Sequence, residues 1–283
     1  MTANGLLQKK EVILLKSKKK NKLSKEELAE QNRSRILTKE SPYAIKEAYV
    51  QLRTNLMFSV ASGNDLESGC RVFAVTSPGP SDGKSTNAAN VAVSFAMLGE
   101  RTLLIDCDMR KPNVHKLWNL ELQHGMSNLL TNINGFEIHK VNDIPLSIIT
   151  AGDIPPNPSE LLASSAFGEA IRAFRKSFDC IIIDTPPVNV VADARIISEY
   201  IDCMVIVMRS GMSRGSDIAR AEDELNSANC KIAGVVINDI NLKKQKYYTG
   251  SYHGKYYNYY RYYRDNYTDY SEIEEESKDN DKN

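Results

Sequence analysis

Residues 77–86 read Ser-Pro-Gly-Pro-Ser-Asp-Gly-Lys-Ser-Thr, directly after the strand-forming run Val72-Phe73-Ala74-Val75-Thr76 and before the helix-forming Asn87-Ala-Ala-Asn-Val-Ala-Val93. A strand that breaks into a Gly- and Pro-rich turn and re-forms as a helix presents backbone N–H groups without intrahelical acceptors. The helix dipole adds positive potential at the same place. That combination binds phosphate. Gly79, Asp82, Gly83, Lys84, Ser85 and Thr86 are the predicted nucleotide contacts. Gly83 permits close backbone approach, Lys84 reaches the β- and γ-phosphates, and Ser85 offers its hydroxyl to Mg²⁺. In the pattern G-x-x-x-x-G-K-[ST] the first glycine falls on Pro78, with Gly79 adjacent. The competing reading is a turn that happens to contain Gly-Lys-Ser-Thr, and acidic residues farther along weigh against it.

Working outward, short apolar runs alternate with helical segments. Strands are predicted at 72–76, 102–105, 146–150, 180–183, 203–207 and 232–237, and helices near 84–98, 160–176, 192–200 and 215–228. Strands that read as continuous apolar runs belong to a parallel sheet covered on both sides. The expected fold is α/β: a P-loop NTPase fold with a mostly parallel sheet and helices on both faces, spanning 41–241. An amphipathic helix is predicted over 43–58, after Ser41-Pro42. Residues 1–40 form a flexible, lysine-rich arm with a short helix near 24–31, and 242–283 a tyrosine-rich, then acidic, tail.

Lys plus Arg and Asp plus Glu number 36 each, so no net charge steers the chain toward nucleic acid. Cys70, Cys107, Cys180, Cys203 and Cys230 are scattered without C-x-x-C spacing, which implies a reducing compartment. No apolar run approaches the length of a membrane span. The expected location is cytoplasmic, with any membrane attachment made through a partner.

Residues 103–110 read Leu-Leu-Ile-Asp-Cys-Asp-Met-Arg, and 180–187 read Cys-Ile-Ile-Ile-Asp-Thr-Pro-Pro. Asp106 and Asp108, at i and i+2, can project together from the carboxyl end of a strand, where doubly wound sheets bind ligands. Asp184 ends a second buried strand and suits a Walker B carboxylate. Each aspartate alone could cap a helix or shape a turn. With Lys84 they make a phosphoryl-transfer site in which Ser85, Asp106 and Asp184 serve Mg²⁺ and either Asp106 or Asp108 accepts a hydroxyl proton.

Residues 247–270 hold eleven of the fourteen tyrosines: Tyr247, Tyr248, Tyr252, Tyr256, Tyr257, Tyr259, Tyr260, Tyr262, Tyr263, Tyr267 and Tyr270. They are interleaved with polar and basic residues and lack aliphatic partners, so they make no core. Phosphoacceptor sites, a stacking surface for single-stranded nucleic acid and plain solvating sequence all fit this composition.

The Pro78 to Thr86 loop, Asp106-x-Asp-x-Arg110 and the strand ending in Asp184, followed by a tyrosine cluster, resemble the bacterial tyrosine kinases of capsular and exopolysaccharide synthesis. The resemblance runs from about Ser41 to the tail. It implies ATP and Mg²⁺ as cofactors, Lys84, Asp106 and Asp108 as catalytic residues, Asn238 near the adenine, and the listed tyrosines as autophosphorylation sites. It also implies a membrane-embedded polysaccharide co-polymerase that activates the kinase and holds it at the inner membrane face. A cognate tyrosine phosphatase and other tyrosine-phosphorylated polysaccharide enzymes follow as partners. Family members assemble into rings through Glu-x-x-Arg-x-x-Arg. Here Glu47 and Arg53 match it, with Val50 in place of the middle arginine. The alternative is a partitioning or cell-division type regulatory ATPase (ParA/MinD-like) without kinase activity. Its signature lysine, five positions before Lys84, is replaced here by Gly79.

Overall fold

Strands apolar on both faces are stable only when covered twice, and the chain solves this with seven strands in one sheet. The computed structural model describes residues 24–61, 69–133 and 135–240. In chain order the strands are β1 (Arg71–Thr76), β2 (Thr102–Asp106), β3 (His139–Lys140), β4 (Leu146–Ile149), β5 (Cys180–Asp184), β6 (Cys203–Arg209) and β7 (Ile232–Asn238). Their spatial order is β3-β4-β2-β5-β1-β6-β7. All neighbours are parallel except β3 and β4, which pair antiparallel at one edge.

The two-residue period of a strand sorts its side chains onto two cores. Val72 and Ala74, Leu103 and Ile105, and Ile181 and Ile183 face one. Phe73 and Val75, Leu104, and Cys180 and Ile182 face the other. The first is covered by α5 (Met126–Thr131), α6 (Pro158–Leu162), α7 (Ser165–Arg175), α8 (Asp193–Ile197) and α9 (Gly215–Asn226). The second is covered by α2 (Tyr43–Ala61), α3 (Lys84–Ala96) and α4 (Val114–Trp118), with Phe73 stacked on Phe95 at 5.6 Å between ring centroids. All five cysteines are buried in these cores and none forms a disulfide. No helix among the described residues is long and apolar enough to cross a membrane.

The six core strands lie where the sequence predicts them, to within two residues at each end. The single helix expected over 160–176 is instead two, α6 and α7. The Ser164 hydroxyl donates to the Leu161 carbonyl at 2.6 Å while Ser164 itself is extended, so a side chain competing for backbone bonds breaks the helix. The helix expected over 192–200 is α8 followed by a 3-10 turn at Ser198–Tyr200. The sequence reading has no counterpart for α4, α5 and β3, which are too short to show a period.

Toward the amino end, α1 (Lys25–Arg33) is closed by a capping box between Ser24 and Glu27. The chain then lies down on α3. Buried Asn90 accepts the Leu37 N–H at 2.7 Å and donates to the Arg35 carbonyl at 3.0 Å, and Leu37 is only 6% exposed. Ile36 and Leu37 therefore pack into the core, although the domain is expected to begin at Ser41. Residues 1–23, including most of the basic arm, and the tyrosine cluster lie outside the described residues. Replacing Asn90 with Ala strands the buried Leu37 N–H and removes the donor to the part-buried Arg35 carbonyl. We expect a loss of about 1–3 kcal/mol of unfolding free energy in urea titrations, with earlier tryptic cleavage after Arg35.

Candidate active site

Parallel strands aim their carboxyl ends at one edge of the sheet, and the residues that end them converge there. β2 and β5 are neighbours in a register that pairs Asp106 with Asp184. The β1–α3 loop lies beside them, because β1 is the other neighbour of β5. A cleft of about 960 Å³ opens over these ends. Gly83, Lys84, Ser85 and Thr86 line its floor, Asp108 and Asn113 one wall, and Arg209, Asn238 and Asp239 another.

Gly83 sits at φ +96°, a left-handed conformation that disfavours a side chain. A Cβ there would also come within 2.0 Å of Asn238 Nδ2. Asn238 donates to the Asp82 carbonyl at 2.9 Å, so this residue is tied to the phosphate loop as well as lining the cleft. Asp82 is spent on loop shape: its carboxylate accepts the Gly79 N–H at 3.0 Å, the Ser213 hydroxyl at 2.6 Å and the Arg209 N–H at 3.3 Å. Asn87 donates to the Gly83 carbonyl at 3.0 Å and accepts from the Tyr49 hydroxyl on α2 at 3.2 Å. The first turn of α3 has no side-chain cap, which leaves its N–H groups for a ligand.

Lys84 and the three aspartates meet. Its ammonium lies 2.7 Å from Asp108 Oδ2, 3.5 Å from Asp184 Oδ1 and 3.3 Å from the Ser85 hydroxyl. Burial opposes the charge on Lys84, but Asp184, Asp108 and Asp106 outweigh it and raise the pKa. Asp106 is completely buried, and its carboxylate accepts the N–H groups of Asp108, Asn113 and Val114 at 3.0–3.1 Å. Burial, reinforced by the charge of Asp184, still raises its pKa. Asp184 is equally buried; the Lys84 ammonium at 3.5 Å and the Ser85 hydroxyl reach toward it, but no backbone N–H donates to either oxygen among the described residues. Burial raises its pKa, with Lys84 and Ser85 offsetting only part. A buried carboxylate without backbone donors is expensive and suits a cation.

Arg110 pairs with buried Asp193 at 3.0 Å, and Ser159 donates to Asp193 at 2.5 Å while accepting from Arg110 at 2.8 Å. This network braces the loop after β2 against α6 and α8. Arg53 donates within its own chain to Ser94 on α3, to the carbonyl at 2.5 Å and the hydroxyl at 3.3 Å. Glu47 is half-buried and accepts from Gln51 at 3.5 Å.

Sequence reasoning does not single out Arg209, Asp239, Ser213 or Asn113. Arg209 ends β6, and Ser213 and Asp239 follow β6 and β7, so position near strand ends alone could have flagged them. Nothing in the sequence marks Arg35, which reaches the cleft from outside the expected domain.

Comparison with known proteins bears on this geometry. Residues 73–252 match the family model of the CobQ/CobB/MinD/ParA nucleotide-binding domain. The chain is 37% identical to the tyrosine-protein kinase YwqD of Bacillus subtilis (strain 168) over 74% of its length and 86% of that protein. It is 35% identical to the tyrosine-protein kinase CpsD of Streptococcus pneumoniae serotype 4, over 71% and 87% respectively. Among solved structures, the kinase domain of Escherichia coli tyrosine kinase ETK superposes with a TM-score of 0.66 at 27% identity, covering 73% of this chain and 80% of that one.

Two outcomes follow. Gly83→Ala is expected to weaken binding of a fluorescent ATP analogue at least ~10-fold, since both backbone strain and a clash oppose it. Adding Asn238→Ala should restore only part, because the strain remains. Asp184→Asn removes one of three buried carboxylates facing a single ammonium. Without nucleotide it should raise the unfolding free energy by about 1–2 kcal/mol, read by thermal or urea melts.

Proposed function

The chain belongs to the bacterial tyrosine-protein kinases built on the CobQ/CobB/MinD/ParA nucleotide-binding domain, and from that premise we propose that it transfers the γ-phosphoryl group of ATP to tyrosines of its own C-terminal cluster, serving capsule or exopolysaccharide synthesis. The observation that carries this reading is the meeting of Lys84 with Asp108 and Asp184 beneath an uncapped helix end.

Loop N–H groups and Lys84 hold the β- and γ-phosphates, while the nucleoside extends toward Asn238. Ser85 and donor-poor Asp184 are the residues fitted to hold Mg²⁺, with Asp106 behind them; the ion would neutralise charge on the phosphates. Asp108 lines the cleft, whereas both oxygens of Asp106 are engaged by backbone donors. That supports Asp108 as the base and Asp106 as the residue that fixes the loop carrying it. Phosphates drawing on Lys84 would free Asp108 Oδ2 to take the tyrosine proton. The phenolic oxygen then bonds to the γ-phosphorus, the bond to the bridging oxygen breaks, and ADP leaves.

The acceptors are the eleven tyrosines between 247 and 270, presented by another subunit. A subunit contact through Arg53 has to compete with its bond to Ser94. The chain works in the cytoplasm, at the inner membrane face, through a membrane-embedded co-polymerase that activates it. A cognate phosphatase resets the cluster, and other polysaccharide enzymes serve as further substrates.

The test is phosphotyrosine formed from ATP and Mg²⁺, with the activator's cytoplasmic segment added. Lys84→Met should lower the signal about 100-fold or more, and truncation before Lys243 should abolish phosphotyrosine on the chain itself. Signal surviving Lys84→Met, or mapping away from 247–270, would refute the reading.

A further inference from the structure

The cleft has a basic shoulder that nucleotide chemistry leaves unused. Arg35, Lys111 and Lys116 line it together with Asp108. They lie on the β2 side, where the β2–α4 loop and the segment before α2 meet. In the sheet, β5 and β1 separate β2 from β6 and β7, whose ends carry Arg209 and Asn238. Cations on the β2 side therefore stand near Asp108 and away from the β6 and β7 ends.

Their backbones are fixed. The Arg35 carbonyl is held by Asn90 at 3.0 Å, and the Lys111 N–H is held by Asp108 Oδ1 at 3.0 Å. Lys116 lies in α4. Their charges are not used: Arg71, Arg101, Arg110, Arg175, Arg195 and Arg209 all pair with carboxylates. None of the three shoulder cations forms an ion pair among the described residues. Three anchored, exposed cations beside a catalytic carboxylate select an anionic partner.

The chain itself contains one. After Tyr270 it reads Ser271-Glu-Ile-Glu-Glu-Glu276, the densest acidic run in the sequence, immediately following the tyrosine cluster. We infer that Arg35, Lys111 and Lys116 dock the acidic segment 272–276 of a second copy, which delivers Tyr270 and Tyr267 to Asp108 as the first tyrosines modified. This rests on the tail-phosphorylation reading above and adds an acceptor rule to it: tyrosines followed by glutamates are preferred. The reach is adequate. Tyr270 and Glu274 are four residues apart, about 14 Å in extended chain, and Lys111 is three residues from Asp108 and bonded to it.

The experiment uses the full chain as kinase, with the activator's cytoplasmic segment added as above, and an epitope-tagged full-length Lys84→Met chain as acceptor. It measures the initial rate of phosphate incorporation against acceptor concentration and maps sites by mass spectrometry. In the acceptor, Glu274→Lys with Glu275→Lys and Glu276→Lys should raise KM about tenfold at low salt with kcat little changed. Lys111→Glu with Lys116→Glu in the kinase should raise KM similarly for the unaltered acceptor. Combining the two altered partners should recover most of the loss. Early phosphate should sit on Tyr270 and Tyr267. Equal KM for both acceptors with the unaltered kinase would overturn the inference, and that arm needs no change to the folded domain. Phosphate appearing only within the kinase's own chain, or no recovery in the charge swap, would overturn it too. Tail phosphotyrosine indifferent to charge sinks this docking alone, whereas absence of tail phosphotyrosine sinks the underlying reading with it.

Discussion

One buried ammonium faces three buried carboxylates, and the rest of the molecule is arranged around that imbalance. Lys84 can neutralise one acid well, and it does so with Asp108 at 2.7 Å. Asp106 is stabilised by backbone N–H groups. Asp184 has only a more distant share of the same ammonium, at 3.5 Å, and no backbone donor among the described residues, so buried carboxylates outnumber cations here. Such a cluster persists only because the surrounding sheet is closed on both faces and cannot relax to hydrate it. The same imbalance is what fits the cleft to the cation proposed above.

Binding energy and loop shape are divided between different residues. Asp82 looks like a phosphate neighbour in the sequence, yet its carboxylate ties Gly79, Arg209 and Ser213 together. Asn238, from the end of β7, closes the loop from the other side. The β1–α3 loop is thus set by β6 and β7, and only the Gly83 to Thr86 stretch is left to meet the ligand. Arg110 follows the same logic. Its guanidinium is held by Asp193 and Ser159, which fixes the backbone on which Asp108 stands.

What could be read in advance follows from which forces leave a local trace. Parallel strands buried on both faces give unbroken apolar runs, so β1, β2, β5 and β6 are plain in the sequence. Strand-end aspartates and Gly83-Lys84-Ser85 are legible because their chemistry depends on local spacing. Helices of five or six residues, such as α4 and α5, leave no period to detect. Arg35 is invisible for a different reason: its position depends on one buried Asn90 and one Leu37 about fifty residues apart, contacts that a lysine-rich context disguises. Which aspartate holds the loop and which faces the cleft likewise depends on three backbone donors that no residue type announces.

The burial of every cysteine has a practical consequence. Burial pushes the thiols of Cys70 and Cys230 up to about 11, and those of Cys107 and Cys180 well above their usual range. Alkylating reagents and peroxides attack thiolates, and at neutral pH a group titrating near 11 is ionised about once in ten thousand molecules. The folded domain is therefore chemically quiet toward maleimides and mild oxidants. A single cysteine introduced at its surface would carry a spectroscopic probe without background labelling.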